Sequence, residues 1–363
     1  MASLMNLLRG KPAEARKPSA ALAPGHPPAW AAPLFAAELA PHLQDDAGQV
    51  LVWTFADKAS RATITDQFKA GAEEYHRRYA ASDHFQKLFR QGIEATGIEV
   101  AARPLILDLG SGSGVNSVVP CRRLFPGARI VATDLSGELL AMLAEYARGE
   151  GAADEVVCVK MDAMSRKVTP GAFDLVTGAS ILHHLESPGE GLLAAGRALK
   201  PGGHAMFFEP FQGWAILRLA FERILAEAAL RNEPLDPAVL VPVHQLIEDV
   251  TDRSEPDTAS PKFRTMDDKW LFSRAKVETM ARKAGFDAVR FVPHHDHPTL
   301  YRDLAAVHIR LATGRSDLTL PPWAMAILDS HDAALTWYAK RELLVEATIV
   351  LTKGEREAGP TPR

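Results

Sequence analysis

The middle of the chain repeats one pattern: a short apolar run, a turn rich in glycine or polar residues, and then an amphipathic stretch. Apolar runs without polar alternation are typical of strands buried on both faces of a parallel sheet, and amphipathic stretches are typical of the helices that cover it. Seven such runs predict strands, at 105–107, 128–133, 156–160, 173–177, 204–208, 287–292 and 343–351. The pattern therefore indicates an α/β fold.

Two of the intervening helices have clear ends in the sequence. Ser187 and Glu190 have the spacing of a capping box, and the Pro-Gly-Gly turn at 201–203 ends that helix. A later helix begins after Ser273 and stops at Gly285, where glycine suits a left-handed cap. These boundaries place helices between the predicted strands.

Changes in pattern along the chain divide it into segments. We predict a flexible Ala/Pro-rich arm over 1–48, a helical cap over 49–103, the α/β core over 104–353 and a tail over 354–363. Two long, partly helical insertions interrupt the core, at about 211–268 and 298–340. Because loops beyond the carboxyl ends of parallel strands line the ligand crevice, the first insertion is predicted to be a substrate lid. A packing or dimer surface is the alternative for either insertion.

Composition narrows the classes of partner. The formal net charge of -4 gives no basic footprint for nucleic acid, and no stretch approaches the roughly 18 to 20 apolar residues of a membrane helix. Cys121 and Cys158 are too few for a disulfide framework. We therefore expect a soluble, cytoplasmic protein with neither nucleic acid nor a membrane as partner; a homodimer stays open.

The richest chemical signal is the run from Leu105 to Gly114, a buried strand leading into a Gly-x-Gly-x-Gly turn. Asp108 ends this strand, where a carboxylate can hold an ammonium group but repels a pyrophosphate. Val115 occupies the place of the third glycine of the dinucleotide fingerprint, which disfavours nicotinamide cofactors. Asp134 ends the next strand, where a carboxylate can accept hydrogen bonds from ribose hydroxyls. These features indicate a nucleoside ligand that carries an amino group.

With these residues, the stretch from Leu105 to Leu351, about two thirds of the chain, resembles the class I S-adenosylmethionine-dependent methyltransferases. The resemblance implies that Asp108 and the glycine turn face the methionine moiety, that Asp134 binds the ribose, and that Asp162 binds the adenine amino group. It adds these cofactor-binding residues: Gly110, Ser111, Gly112, Gly114, Leu135 and Ala163. The alternative for each of the three carboxylates is a solvated loop residue.

Two further segments extend the resemblance. Tyr75 and Tyr79, one helical turn apart, are similar to a helix that closes over the cofactor, although they can equally pack that helix on the core. The segment from Gly178 to Leu185 is similar to its counterpart in small-molecule methyltransferases. The Asn/Asp-Pro-Pro-aromatic motif of enzymes that methylate base amines is absent, which disfavours nucleobase acceptors.

Three residues near the predicted crevice are candidates for a general base. They are His183 and His184, after the fourth strand, and Glu209, at the end of the fifth, with His184 and Glu209 favoured. A structural hydrogen-bonding role is the alternative for the histidines. The run His294-His295-Asp296-His297 has metal-ligand residue types, but four neighbours cannot all reach one ion, so we expect a solvated loop and no metal.

We therefore expect a doubly wound, mostly parallel seven-stranded sheet with its last strand antiparallel, a Rossmann-like methyltransferase fold with an N-terminal helical cap and helical insertions. The expected reaction is methyl transfer from S-adenosylmethionine to a small molecule, at a hydroxyl of a natural product or sugar-like metabolite. The alternatives are a protein or peptide methyltransferase, a nucleotide-dependent oxidoreductase, and a non-catalytic partner subunit.

Overall fold

A single mixed sheet of nine strands organises the molecule. The computed structural model describes residues 26–55, 76 and 81–355. The strands are β1 (Leu39–Gln44), β2 (Val50–Phe55), β3 (Leu105–Leu109), β4 (Arg129–Asp134), β5 (Val156–Lys160), β6 (Phe173–Ala179), β7 (Leu199–Pro210), β8 (Phe286–Pro293) and β9 (Glu346–Lys353). They lie side by side in the order β1-β2-β5-β4-β3-β6-β7-β9-β8.

The central strands run parallel, as the sequence predicts. β3 pairs in parallel with both β4 and β6, and β6 pairs in parallel with β7. β9 is antiparallel to β7 and β8, which confirms the antiparallel final strand. The carboxyl ends of β3 to β7 therefore meet at one edge, where a ligand crevice is expected.

The prediction of seven strands is wrong, because an additional hairpin brings the sheet to nine strands. β1 and β2 form an antiparallel pair, and β2 adds to the sheet beside β5, with Trp53 opposite Val159. The hairpin lies in segments predicted as flexible arm and helical cap. Its second strand is rich in β-branched and aromatic residues, which favour a sheet, and Trp53 and Phe55 pack into the core on one face. The remaining division into segments stays a prediction.

Eleven α-helices lie within the described residues. They are α1 (His84–Thr96), α2 (Val118–Leu124), α3 (Gly137–Gly149), α4 (Pro188–Ala198), α5 (Trp214–Arg231), α6 (Pro237–Ser254), α7 (Pro261–Thr265), α8 (Arg274–Lys283), α9 (Leu300–Thr313), α10 (Pro322–Ala334) and α11 (Trp337–Leu343). None of these helices is both long and apolar enough to cross a bilayer.

The two predicted helix caps differ. The side chain of Ser273 accepts a hydrogen bond from the Lys276 N–H at the start of α8, as predicted. At α4 the side chain of Ser187 makes no cap hydrogen bond, so the predicted capping box is wrong. Glu190 instead pairs with Arg166 at 2.9 Å.

The two insertions form one structural unit. Helices α5 and α6 of the first pack against α9 and α10 of the second, and we call these four helices the helical layer. They share an apolar core separate from the two cores on the faces of the sheet, with Leu217, Phe221, Val243, Tyr301, Leu304 and Leu328 among its buried residues. The chain connections also meet, because the N–H of Gly213, before α5, donates to the carbonyl of Leu344, before β9, at 2.7 Å.

Candidate functional site

The turn after β3, residues 110–114, is held by a buried carboxylate. Asp108 is fully buried; its Oδ1 accepts a hydrogen bond from Thr177 Oγ1 and its Oδ2 one from Ser117 Oγ, both at 2.6 Å. Burial raises the pKa of Asp108 to about 6. The side chain thus ties β3 to β6 and to the start of α2, and keeps a costly charge beside the glycine turn.

The three glycines of this turn serve different purposes. A Cβ at Gly110 would overlap the Ile181 side chain, and one at Gly114 would overlap Leu143. Gly112 has a φ of +51°, and a Cβ there would meet nothing within 4 Å. Gly110 and Gly114 are therefore needed for packing, whereas Gly112 leaves backbone open to a ligand.

Asp134 lies at the carboxyl end of β4 beside this opening. Its Oδ2 accepts the N–H of Gly112 and its Oδ1 the N–H of Ser136, both at 2.8 Å. Burial raises the pKa of Asp134, while these backbone N–H groups oppose the shift. Each carboxylate oxygen can accept a second hydrogen bond, so Asp134 can still receive ligand hydroxyls.

The other predicted cofactor residues lie on the same edge. Half-buried Leu135 follows β4, and Asp162 and buried Ala163 follow the neighbouring strand β5. Oδ1 of Asp162 accepts the N–H of Met164 at 2.8 Å. Tyr75 and Tyr79 lie outside the described residues.

His76, between those two tyrosines in the chain, was not singled out by the sequence. Its ring packs edge-on against Tyr146, with ring centroids 5.1 Å apart, and donates a hydrogen bond to the backbone of Ser113. This residue therefore reaches the glycine turn, while the closure of its segment over the cofactor stays a prediction.

A second cluster of polar groups lies after β6, in residues 180–184, which we call the histidine turn. The carboxylate of Glu209, buried at the end of β7, accepts the backbone N–H groups of Ile181, Leu182 and His183 at 2.8 to 3.2 Å. Its Oε2 also lies 2.6 Å from His183 Nδ1. Glu209 therefore fixes both the backbone of this turn and the orientation of the His183 ring.

The cluster continues into the first insertion. Nε2 of His183 lies 3.4 Å, and Nδ1 of His184 3.2 Å, from Oδ1 of Asp268. The other oxygen of Asp268 lies 3.3 Å from Arg253 Nη1, which also pairs with Asp249 at 2.8 Å. Asp268 and Arg253 carry no signal in the sequence, because nothing in their spacing links an insertion to a histidine turn distant in the chain.

The surroundings shift the two histidine pKa values in opposite directions. Burial opposes protonation of His183, but the carboxylates of Glu209 and Asp268 raise its pKa to about 9. Burial and the neighbouring charge of His183 lower the pKa of His184 to about 4. At neutral pH His183 is thus an imidazolium and His184 a weak base, while Glu209 is occupied by donors. The general-base role of these three residues stays a prediction.

A cavity of about 510 Å³ opens beside the histidine turn. It lies between the ends of β6 and β7 and helices α1, α5 and α6. Ser180, His183 and Glu209 contribute to its wall from the sheet, Phe85 from α1, Trp214 from α5, and Asp249 and Arg253 from α6. His184 is not among its lining residues.

The 294–297 run does not converge on one point. Asp296 pairs with Arg341 at 2.8 Å, His295 with Glu346 at 3.2 Å, and His297 with Asp303 at 3.3 Å. His294 bonds to Thr348 and lines the cavity, so the expectation of a wholly solvated loop is wrong at this residue. Its place after β8, against β9, accounts for the difference.

Comparison with known proteins identifies the central part of this site. Residues 107–207 match the family model described as a methyltransferase domain. They include the glycine turn, Asp134, Asp162 and the histidine turn. The match disfavours the oxidoreductase alternative.

Individual relatives match over limited lengths. The chain is 39% identical over 101 residues to an uncharacterized protein of Synechococcus sp., covering 28% of this chain and 24% of that protein. It is 28% identical over 123 residues to the ubiquinone biosynthesis O-methyltransferase of Idiomarina loihiensis, covering 33% of this chain and 49% of that one. The chain thus spans half or less of the length of these curated relatives.

A solved phosphoethanolamine N-methyltransferase of Haemonchus contortus superimposes with a TM-score of 0.47 at 16% identity, covering 80% of this chain and 58% of the other. That similarity is too low to bear on function, so the assignment depends on the central domain. Residues 107–207 are thus similar to the methyltransferase domain family, and this match supports an S-adenosylmethionine-dependent methyltransferase.

Proposed function

We propose that this chain transfers the methyl group of S-adenosylmethionine to a small-molecule acceptor bound in the cavity. The observation that carries the proposal is the contact between Gly110 of the glycine turn and Ile181 of the histidine turn. Ser180 and His183, on either side of Ile181, line the cavity. The proposed cofactor site and the proposed acceptor site therefore share one wall.

The residues present fit the cofactor. The open backbone at Gly112 gives room for its methionine end, and Asp108 supplies negative charge behind the turn. Asp134 would hold the ribose and Asp162 the adenine. When bound, the cofactor supplies an electrophilic methyl group, so the protein's own task is to align a nucleophile and exclude water.

The cavity fits a small acceptor. Its volume of about 510 Å³ lies in the range of small-molecule sites, roughly 300–1,000 Å³. Phe85 and Trp214 offer apolar contacts, while His183 and Asp249 offer polar ones. We favour a hydroxyl acceptor, with His183 in contact with it and Glu209 as the residue that positions His183. Cytoplasmic location and a homodimer also stay predictions.

Cofactor binding tests the first half of the proposal. Gly112→Val places a branched side chain where the ligand is expected to contact the protein backbone. Calorimetry with S-adenosylhomocysteine should therefore show no binding. Gly171→Val is the matched control, because Gly171 also has a positive φ, +67°, and open space around it but lies far from the site. The control should fold and bind with unchanged affinity. Normal binding by Gly112→Val would contradict the site.

The acceptor class needs a separate measurement. A lysate incubated with the protein and methyl-labelled cofactor should carry label in small metabolites. Label that runs with macromolecules would instead support a protein or peptide substrate. Cavity variants such as Trp214→Ala should reduce the labelled metabolite without changing the affinity for S-adenosylhomocysteine.

A further inference from the structure

Three side chains of metal-binding type converge beside the cavity, and two of them, His183 and Asp268, line it. The ligand atoms of His183, His184 and Asp268 all lie within 4.8 Å of one another. Oδ1 of Asp268 is 3.4 Å from His183 Nε2 and 3.2 Å from His184 Nδ1. The two histidines come from the end of β6 and the aspartate from the first insertion, so the cluster joins the sheet to the insertion.

These separations suit a shared ion. A charge-assisted N–H···O hydrogen bond is about 2.7–2.9 Å long. The contact between His183 Nδ1 and Glu209 Oε2, at 2.6 Å, is as short as such a bond, whereas the two contacts to Asp268 are longer. Ligand atoms around a tetrahedral zinc ion, with bonds of about 2.0–2.1 Å, lie roughly 3.3 Å apart. The distances to Asp268 match that second spacing.

The orientation of His183 is fixed for this purpose. Glu209 accepts three backbone N–H groups, and its Oε2 takes the hydrogen of His183 Nδ1. Nε2 of His183 is thereby turned toward Asp268. A carboxylate on the far nitrogen of a metal-bound histidine is the usual outer support of such a ligand, since it selects the tautomer and raises basicity.

The local charge also favours a cation. Once the His183 imidazolium gives up its proton, the carboxylates of Glu209, Asp249 and Asp268 lie near the guanidinium of Arg253. These carboxylates outnumber the guanidinium, so a divalent ion would be favoured beside them. Arg253 contacts the oxygen of Asp268 that does not face the histidines, so the ion and the guanidinium do not compete for one atom.

We propose that His183, His184 and Asp268 bind one divalent transition-metal ion of the zinc type, with an open coordination position toward the cavity. Without the ion, His184 Nδ1 lies 3.0 Å from the Asp267 carbonyl, and the hydrogen of the neutral His184 ring would move to Nε2 when Nδ1 binds the ion. The proton that is released would come from the His183 imidazolium. This part rests on the proposed function: the open position would take the acceptor oxygen. The ion would supply Lewis-acid chemistry there, so that the hydroxyl would give its proton to water more readily as the oxygen forms the C–O bond and the S–C bond breaks.

The test measures metal binding on the full chain without any acceptor. Protein freed of metal with a chelator is titrated with Zn²⁺ against a chromophoric competitor, and with Co²⁺ to record the absorption of a tetrahedral site. We expect one ion per chain. Asp268→Ala and His183→Gln should each weaken Zn²⁺ binding at least tenfold, and Glu209→Gln should weaken it by roughly 10–100-fold.

His297→Gln is the matched control, since His297 pairs with Asp303 away from the cluster and should leave Zn²⁺ affinity unchanged. Circular dichroism verifies that each variant folds; if His183→Gln does not, Asp268→Ala and His184→Ala decide. Absence of a stoichiometric ion, or equal affinity in wild type and Asp268→Ala, would overturn the inference. S-adenosylhomocysteine binding on the same samples separates this failure from failure of the proposed function, because the cofactor site does not include these ligands.

Discussion

Asp108 is a buried carboxylate whose ionisation destabilises the fold, which indicates a role in ligand binding. Its carboxylate is buried among hydroxyl groups, and burial raises its pKa from 3.8 to about 6. The position of Asp108 beside the glycine turn is predictable from the sequence, because the strand and the turn are adjacent in the chain. It could not predict that Ser117 and Thr177 would take up its oxygens, since those contacts form only when α2 and β6 pack on β3.

Asp108→Asn should stabilise the protein at neutral pH. Because the folded pKa is higher than the unfolded one, the native state binds the proton more tightly, and wild-type stability falls as pH rises from about 4 through about 6. Asparagine does not titrate, so its advantage should grow over that window toward about 2–3 kcal/mol at pH 7.

Denaturant unfolding at pH 4 and pH 7 measures this difference. The same variant should bind S-adenosylhomocysteine more weakly, since the negative charge behind the turn is lost. A stability difference that does not change with pH would show that the charge of Asp108 carries no penalty in the fold.

At the scale of the element, the two serine caps show what spacing can and cannot specify. Ser187 and Ser273 both precede helices, yet only Ser273 uses its side chain to cap. At Ser187 the backbone has φ -127° and ψ 81°, which differs from the φ -106° and ψ 155° of Ser273. Neighbouring packing sets these angles, so a one-dimensional pattern cannot separate the two cases.

The caps give a matched pair of mutations. Ser273→Ala should lower the free energy of unfolding by about 1 kcal/mol, because a helix N–H at α8 loses its acceptor. Ser187→Ala should cost clearly less, since no side-chain hydrogen bond is removed. Chemical denaturation of both variants provides the comparison, and equal losses would contradict the assigned caps.

The β1–β2 hairpin is a second element that the sequence did not reveal. The helical cap is predicted to begin at residue 49, although Val50–Phe55 is a short, continuous apolar run of β-forming residues. Such a run gains its sheet partner only from β5, which is distant in the chain. The seven core strands were predictable because each lies next to its own turn and helix, whereas this edge depends on tertiary pairing.

For the whole molecule, the main feature is that the two insertions share one core. The sequence predicts both insertions but gives no sign that they pack together, since helix α8 and strand β8 lie between them in the chain. The interface between α5, α6, α9 and α10 makes them one body over the cavity. Asp249 and Arg253 reach the cavity from this body, which explains why no local motif revealed them.

Gly213 should determine the position of the helical layer relative to the sheet. A Cβ at residue 213 would overlap the Leu344 carbonyl oxygen, where the two chain connections meet. Gly213→Ala should therefore displace the helical layer, and raise the KM for the acceptor while the affinity for S-adenosylhomocysteine stays near that of wild type. The control is Gly189→Ala, whose Cβ would make only ordinary contact with Met280 at 3.8 Å. A parallel loss of both affinities in Gly213→Ala would show that the layer and cofactor site are not separable.

The common core of the insertions has a consequence for engineering. Grafting either insertion alone onto another scaffold would expose Leu217 and Phe221, or Tyr301 and Leu328, to water. A chimera meant to exchange substrate preference must therefore carry both pieces together, although they are separated in the gene.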